Sequence, residues 1–241
     1  MITGKMFRDG VISASNNIAN SRSEVDALNI FPVPDGDTGT NMSMTIGAAA
    51  KEMAVLPDDC TIGDASARCA SALLRGARGN SGVILSLIFR GFSKGFKGLE
   101  VADSKAIANA LELGVKAAYK AVMKPTEGTI LTVIRKASEA AGKIADTEEN
   151  PLVVSFEALK GAKEALAQTP DLLPVLKQAG VVDAGGSGLV LILEGIKSVW
   201  ENGVIVQPIE GSGVQPVSTP VKSTVANASD DIEFGYCSEF L

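Results

Sequence analysis

Hydrophobic residues recur at three- and four-residue spacing through most of the chain, the pattern of helices that bury one face. In residues 103–123, Ile107 and Leu111 share a face whose opposite side is polar. Thr61 with Asp64 three residues later resembles a capping box at a helix start. Strand signals are weak before residue 203, so we predict an all-α domain. Its eight helices are expected at 4–20, 40–55, 61–76, 80–97, 103–123, 129–145, 151–168 and 186–202.

The helical pattern stops after Gly203. Residues 208–231 are rich in Pro, Ser, Thr and Gly and have no helical period, which is typical of a linker. The last ten residues, IEFGYCSEFL, are again apolar and aromatic. We therefore expect three parts: a helical domain in residues 1–206, a linker in 207–231, and in 232–241 the start of a second domain that this chain does not contain.

Composition narrows the class of protein. With 241 residues, 46% of them hydrophobic, the chain can bury the core of one large domain. A net charge of −6 argues against a nucleic-acid partner. No apolar stretch reaches the roughly 18 residues of a membrane span, and charges at Lys5 and Arg8 argue against a signal peptide. Three cysteines without CxxC spacing favour a cytoplasmic protein. Histidine, the commonest general base, is absent.

The connections between the predicted helices fall into two alternating classes. The second, fourth and sixth are ordinary polar turns, whereas the others contain glycines beside polar or charged residues. In an up-and-down helical bundle, alternate connections lie at the same end. One glycine-containing turn is usually only structural, but four in alternate positions predict a site on one rim. These four loops are NIFPVPDGDTG (29–39), RGARGNSG (75–82), MKPTEGT (123–129) and GVVDAGGSG (180–188).

The first of these loops carries two carboxylates, Asp35 and Asp37, on either side of Gly36. Carboxylates are hard oxygen ligands, and Mg²⁺ is commonly held by one or two of them together with substrate phosphates and water. The alternative is a turn in which an aspartate caps the following helix. An EF-hand is excluded because Thr40 and Ile46 stand where its loop needs Gly and Glu.

Two other phosphate-handling motifs are disfavoured. A DxDxT phosphatase nucleophile follows a buried strand, whereas Pro32 and Pro34 interrupt the residues before Asp35. Neither GxxxxGK[ST] nor GxGxxG occurs between a strand and a helix, so a P-loop or Rossmann site is not indicated.

The rim loops offer groups suited to a metal-bound phosphate. Free amides at a helix start form an anion site, and cations stabilise charge on a transferred phosphoryl group. Lys124 and Arg78 are the candidate cations. The candidate phosphate-binding residues at helix starts are Thr38, Thr40, Asn41, Gly79, Asn80, Ser81, Gly82 and Thr129. Together they suit a nucleoside triphosphate held through metal.

The motifs DGDTGTNM (35–42), RGARGNSG (75–82), MKPTEGT (123–129) and VVDAGGSGL (181–189) resemble the ATP-binding L domain of the dihydroxyacetone kinase family. The resemblance covers about residues 5–203 and is greatest to the ATP-binding subunit of bacterial fatty acid kinase, because Thr38 replaces the histidine of many dihydroxyacetone-using members. It implies an eight-helix antiparallel up-and-down barrel that binds ATP or ADP and two Mg²⁺ ions at one rim.

Carried over, the resemblance assigns Asp35 and Asp37 as magnesium ligands and places Asn29 where the family has a third, acidic ligand. With Lys124, these two aspartates form the expected catalytic set. The resemblance also implies phosphate binding by Ser81 and its glycines. The residues from Asp183 to Gly186, with Gly185 between them, are expected to line the nucleotide.

The resemblance implies a kinase that makes an acyl phosphate from a fatty acid presented by a lipid-carrying partner protein. A fatty carboxylate is already ionised at pH 7 and needs no base, which fits the absence of histidine. The fragment alone is expected to bind nucleotide without kinase activity. Cys237 would belong to the missing domain. Whether the chain forms a homodimer is left open by the sequence. Two alternatives are an L subunit acting on dihydroxyacetone or a similar ketone, and a non-catalytic module that holds ADP and Mg²⁺.

Overall fold

The computed structural model describes residues 1–209 of the chain, and within them the fold is almost entirely helical. Two strands of two residues each, β1 (Ile2–Thr3) and β2 (Val101–Ala102), pair antiparallel. The long helices are α1 (Gly4–Asn20), α3 (Thr38–Met53), α4 (Ile62–Gly76), α5 (Gly79–Gly95), α6 (Ser104–Ala121), α7 (Ile130–Ile144), α8 (Pro151–Leu172) and α10 (Ala184–Asn202). The short ones are α2 (Arg22–Ala27) and α9 (Pro174–Ala179). The predicted all-α class is confirmed.

The long helices pack in a closed circuit. Each contacts the next along the chain, and α10 returns to contact α1. Small residues allow close approach: a Cβ at Gly91 would overlap the backbone of Gly114 between α5 and α6, and one at Gly195 would overlap Ala14 between α1 and α10. Trp200 fastens the last junction by donating its indole N–H to the carbonyl of Met6 at 3.0 Å. This circuit of neighbours is consistent with the expected barrel.

Most helices begin at a capping side chain. A side chain accepts a hydrogen bond from an amide of the first turn at the starts of α1, α4, α6, α7, α8 and α10. The capping residues are Thr3, Thr61, Asp103, Thr129, Asn150 and Asp183. Capping therefore explains why the predicted and observed starts of these helices agree within about two residues.

Among the eight predicted helices, the largest difference in bounds is at the end of α8. The sequence predicts an end at residue 168, yet the helix runs on to Leu172 with Pro170 inside it, where proline is normally unfavourable. Proline lacks the N–H that would bond to the carbonyl of Leu166, and the Thr169 hydroxyl donates to that carbonyl instead at 2.7 Å. The helix continues because the neighbouring side chain replaces the lost donor.

After α10 the chain runs along the outside of α1. The amide of Val206 donates to the Ser13 hydroxyl at 3.0 Å, and Asn16 donates to the carbonyl of Val206 at 2.9 Å. Asn20 likewise donates to the carbonyl of Gln207 at 2.9 Å, so the first residue of the predicted linker is held on the domain. The rest of that linker from residue 210, residues 232–241 and Cys237 lie outside the described residues. Among residues 1–209, no helix combines the length and the apolar character needed to traverse a bilayer.

Candidate active site

The turn between α2 and α3 brings Asn29 and Asp35 together. Asn29 is 7% exposed, and its side-chain amide donates to Asp35 Oδ1 at 2.6 Å. Gly36 has a φ of +67°, a left-handed conformation that glycine adopts without strain, and it separates Asp35 from Asp37. Asp35 is exposed and Asp37 is half-buried. Two carboxylates and a carboxamide therefore stand on one short turn.

Asp37 occupies the N-cap position of α3, but its side chain makes no capping hydrogen bond. The other N-cap aspartates, Asp103 and Asp183, both accept from an amide of their own helix. The lack of a capping bond argues against the alternative that the Asp37 carboxylate serves as a helix cap. The start of α5, at Arg78, also has no side-chain cap. Within residues 1–209, the amides of Thr38 and Gly39 in α3 and the first amides of α5 consequently have no side-chain cap at the positive ends of the two helices.

These two helix starts lie against each other. A Cβ at Gly79 would overlap the side chain of Asn41 in the first turn of α3, and the Arg78 amide donates to the Thr45 hydroxyl at 3.1 Å. The rest of the 75–82 loop faces outward: Asn80 is exposed and Ser81 is partly exposed. Within residues 1–209 neither of those two side chains forms a hydrogen bond. The first and third connections thus form one surface with free polar groups.

The start of α10 joins the same end of the molecule. A Cβ at Gly188 would overlap Met42 of α3, while one at Gly185 would stand 3.3 Å from Ile130 at the start of α7. These contacts join the start of α10 to the N-terminal parts of α3 and α7, the helices that follow the 29–39 loop and the 123–129 loop. All four glycine-containing connections therefore meet at one end of the helical circuit.

Thr40 is already engaged within the protein. Its amide donates to Asp26 Oδ1 at 2.9 Å and its hydroxyl donates to Asp26 Oδ2 at 2.8 Å. Asp26 thereby fixes α2 on the first turn of α3, where a Cβ at Gly39 would overlap the Arg22 carbonyl. Both donors of Thr40 are therefore used within the protein and are not available to a phosphate. Thr38, 9% exposed, forms no such bond within the described residues.

Asp183 is a buried structural group at this end. It is 5% exposed, its Oδ2 accepts from the Gly186 amide at 2.7 Å, and the Ile130 amide also donates to it. Its own amide donates to the Thr169 hydroxyl at 3.1 Å. Burial raises the pKa of Asp183 to about 6, although the two amides oppose that shift. Asp183 therefore joins the starts of α7 and α10 from beneath the surface.

The 123–129 loop places one cation at the edge of the surface. Lys124 is exposed and forms no ion pair within residues 1–209. Thr129 begins α7, where its hydroxyl accepts weakly from the Leu131 amide at 3.4 Å and donates to the Thr126 carbonyl at 2.7 Å. The loop is held by Glu127, whose carboxylate accepts from three side chains of α6 and α7. Sequence reasoning did not single out Glu127 or its partners.

The donor set suits a magnesium ion whose coordination is completed by phosphate. No group of three or more Asp, Glu, Cys or His side chains that would hold a metal occurs within residues 1–209. Asn29, Asp35 and Asp37 supply two carboxylates and one amide oxygen, and Mg²⁺ typically uses one or two carboxylates with phosphate and water. The set fits a nucleotide-bound magnesium better than an ion held by protein alone.

The helical circuit and the rim agree with the sequence comparisons. The DAK2 domain model matches residues 32–198, and the chain belongs to this family. The match includes Asp35, Asp37 and all three of the other rim loops.

The chain is also similar to individual proteins and to a solved structure. The chain is 40% identical over 243 residues to the protein YloV of Bacillus subtilis and 41% identical over 241 residues to the uncharacterised protein SAB1090 of Staphylococcus aureus. Each match covers 100% of this chain but 44% of the relative, so the chain spans less than half of their length. Among solved structures, the dihydroxyacetone kinase of C. freundii matches with a TM-score of 0.54 and 19% identity, over 80% of this chain and 34% of that one. That likeness shows a shared fold.

Proposed function

We propose that the chain is the ATP- and magnesium-binding domain of a kinase that phosphorylates a fatty acid carboxylate to an acyl phosphate. The observation that carries the proposal is Asp37: it begins α3, yet its carboxylate does not cap the helix and is left beside Asp35 and Asn29. DAK2 family membership and the shared fold of a dihydroxyacetone kinase support nucleotide-dependent phosphoryl transfer.

In this proposal the residues have different roles, according to their positions on the rim. Asn29, Asp35 and Asp37 hold one or two Mg²⁺ ions, which neutralise phosphate charge when bound. The amides of Thr38 and Gly39 in α3 and the uncapped amides at the start of α5 are directed toward the nucleotide phosphates, with Ser81 and Asn80 adding side-chain donors. Gly79 and Gly82 keep the 75–82 loop close to α3.

Lys124 supplies a positive charge for the transferred phosphoryl group. A carboxylate nucleophile is ionised at neutral pH, so a chain without histidine needs no other general base. Catalysis then rests on positioning and on neutralising charge. The fatty acid would be presented by a lipid-carrying partner protein, and domains beyond this chain would dock that partner, since the relatives are more than twice as long.

The test of nucleotide binding compares Asp37→Ala with Asp103→Ala. Asp37 makes no capping bond, so its loss should abolish magnesium-dependent ATP binding in calorimetry while the melting temperature stays near that of the wild type. Asp103 accepts from the Ala106 amide at 2.8 Å, so its loss should cost about 0.5–2 kcal/mol of stability and leave affinity unchanged. Unchanged ATP affinity in Asp37→Ala would refute the proposed site.

The second candidate is phosphorylation of dihydroxyacetone or a similar ketone, favoured by the C. freundii structure, which is a dihydroxyacetone kinase. The two candidate reactions yield different phosphorylated products. A full-length relative supplied with ATP and a fatty-acid-loaded carrier should form an acyl phosphate, which hydroxylamine traps as a hydroxamate. Phosphate transfer to the ketone alone would favour the second candidate, and binding without any transfer would favour a non-catalytic ADP- and magnesium-binding module.

A further inference from the structure

The 123–129 loop has no regular structure of its own, and three side chains from the adjoining helices hold it through one carboxylate. Glu127 Oε1 accepts from the Tyr119 hydroxyl of α6 at 3.0 Å. Glu127 Oε2 accepts from the Thr132 hydroxyl and from Arg135 Nη2, both at 2.6 Å and both on α7. A single side chain therefore fixes the loop to the helix before it and to the helix after it.

The backbone beside Glu127 is fixed as well. The Gly128 amide donates to the Thr132 hydroxyl at 2.8 Å, so Thr132 joins the carboxylate and the backbone of the loop. Gly128 has a φ of +82°, and a Cβ there would come within 2.9 Å of Leu173 Cβ beyond the end of α8. The following residue, Thr129, begins α7. The path of the loop from Lys124 to α7 thus depends on where Glu127 is held.

Glu127, Tyr119, Thr132 and Arg135 form a cluster that favours the ionised form of Glu127. Partial burial raises the pKa of Glu127, but hydrogen bonds from Thr132, Arg135 and Tyr119 outweigh it, and the net result is a lowered pKa. The hydrogen bond with Tyr119 and those with Glu127 and Glu139 raise the pKa of Arg135 despite partial burial. Glu127 is an anion at neutral pH that is fully engaged by its three donors.

The cluster is too exposed to be explained by stability alone. The side chains of Arg135 and Glu127 are 31% and 48% exposed, and ion pairs in such positions contribute little to folding. The residue carried by this loop, Lys124, is exposed and forms no ion pair within the described residues. An ordered cluster that holds a free cation at the rim is what a phosphate-binding site requires.

From this geometry we propose that Glu127 is a positioning residue, which holds the 123–129 loop so that Lys124 faces the phosphates of the nucleotide. This inference rests on the proposed function of the rim. Glu127 itself does not contact the nucleotide: it acts through the loop, and its partners Tyr119, Thr132 and Arg135 share the role.

The test uses the 241-residue chain and magnesium-ATP titrations, with Glu139→Gln as the matched control. Glu139 accepts from Arg135 Nη1 at 2.7 Å on α7 but makes no contact with the loop. Glu127→Ala should weaken magnesium-ATP binding by roughly tenfold, the size expected when a charge-assisted contact is misplaced. Glu127→Gln keeps an acceptor for Tyr119 or Thr132 and should lose less. Glu139→Gln should bind as the wild type does, and none of the three variants should move Tm by more than a few degrees.

A double variant identifies the route of the effect. If Glu127 acts through Lys124, Glu127→Ala combined with Lys124→Ala should bind no more weakly than Lys124→Ala alone. Additive losses, or equal losses in Glu127→Ala and Glu139→Gln, would overturn the positioning role. Asp37→Ala separates the two proposals: if it abolishes binding while Glu127→Ala has no effect, only the role of Glu127 fails. If the wild-type chain does not bind magnesium-ATP, both proposals fail.

Discussion

The buried carboxyl of Asp183 predicts a measurable dependence of stability on pH. Burial raises its pKa from 3.8 to about 6, and it lies under the rim where the starts of α7 and α10 meet. The folded protein therefore binds a proton there at pH values where the unfolded chain has released it. The stability that protonated Asp183 contributes is fully present below about pH 4 and is lost as the pH rises through about 6.

The size of this pH dependence follows from the shift in the pKa of Asp183. A difference of about two pKa units corresponds to ~3 kcal/mol in the free energy of unfolding. The variant Asp183→Asn removes the titration and keeps one oxygen that can accept from the Gly186 amide. The difference in unfolding free energy between wild type and variant should therefore change by ~3 kcal/mol in the variant's favour between pH 4 and pH 7.

Urea unfolding followed by circular dichroism across that range measures the difference at each pH. Taking differences is essential, because Asp58 and Glu139 have lowered pKa values, held down by hydrogen bonds from Arg8 and Lys136 respectively, and contribute stability that increases with pH. Asp103→Asn, an exposed cap at the start of α6, serves as the control that lacks the burial of Asp183. A difference between wild type and Asp183→Asn that stays constant from pH 4 to pH 7 would refute the reasoning.

Two further predictions concern the first rim loop. Asn29→Asp places a carboxylate against Asp35, so Tm should fall without Mg²⁺, and the rise in Tm when Mg²⁺ is added should exceed that of the wild type; equal rises would exclude Asn29 from the ion's surroundings. Thr40→Val removes a hydroxyl donor to Asp26 and should cost ~1–3 kcal/mol in urea unfolding, with magnesium-ATP affinity retained. A large loss of affinity with unchanged stability would instead make Thr40 a nucleotide contact.

The long helices were predictable because their signals are local. Each has an apolar face with a period near 3.6, and most begin at a capping residue such as Thr61 or Asp103. The short helices α2 and α9 were not predicted, since six residues are too few to show a period. The pairing of β1 with β2 was missed for the same reason. The passage of α8 through Pro170 depends on the Thr169 hydroxyl, a detail that a rule about proline does not contain.

The candidate site, like the fold, was predictable from the sequence only in part. The sequence indicates which loops carry polar groups and, through their alternation, that these loops belong at one end. It does not indicate which groups are already used within the protein. Thr40 is engaged by Asp26, and Asp183 is buried against Gly186, because residues distant in sequence fold against them. Glu127 stood inside a recognised motif, but its partners Tyr119 and Arg135 become apparent only when α6 and α7 are side by side.

The junction of α1 with α10 has a consequence for how the domain matures. Residues 4–20 pack mainly against two helices, and one of these is formed by residues 184–202. A nascent chain therefore cannot close the circuit of helices until nearly the whole domain has left the ribosome. Trp200, the only tryptophan in the chain, donates to Met6 across this last junction. Its fluorescence is therefore a natural signal for the moment at which the two ends of the domain meet.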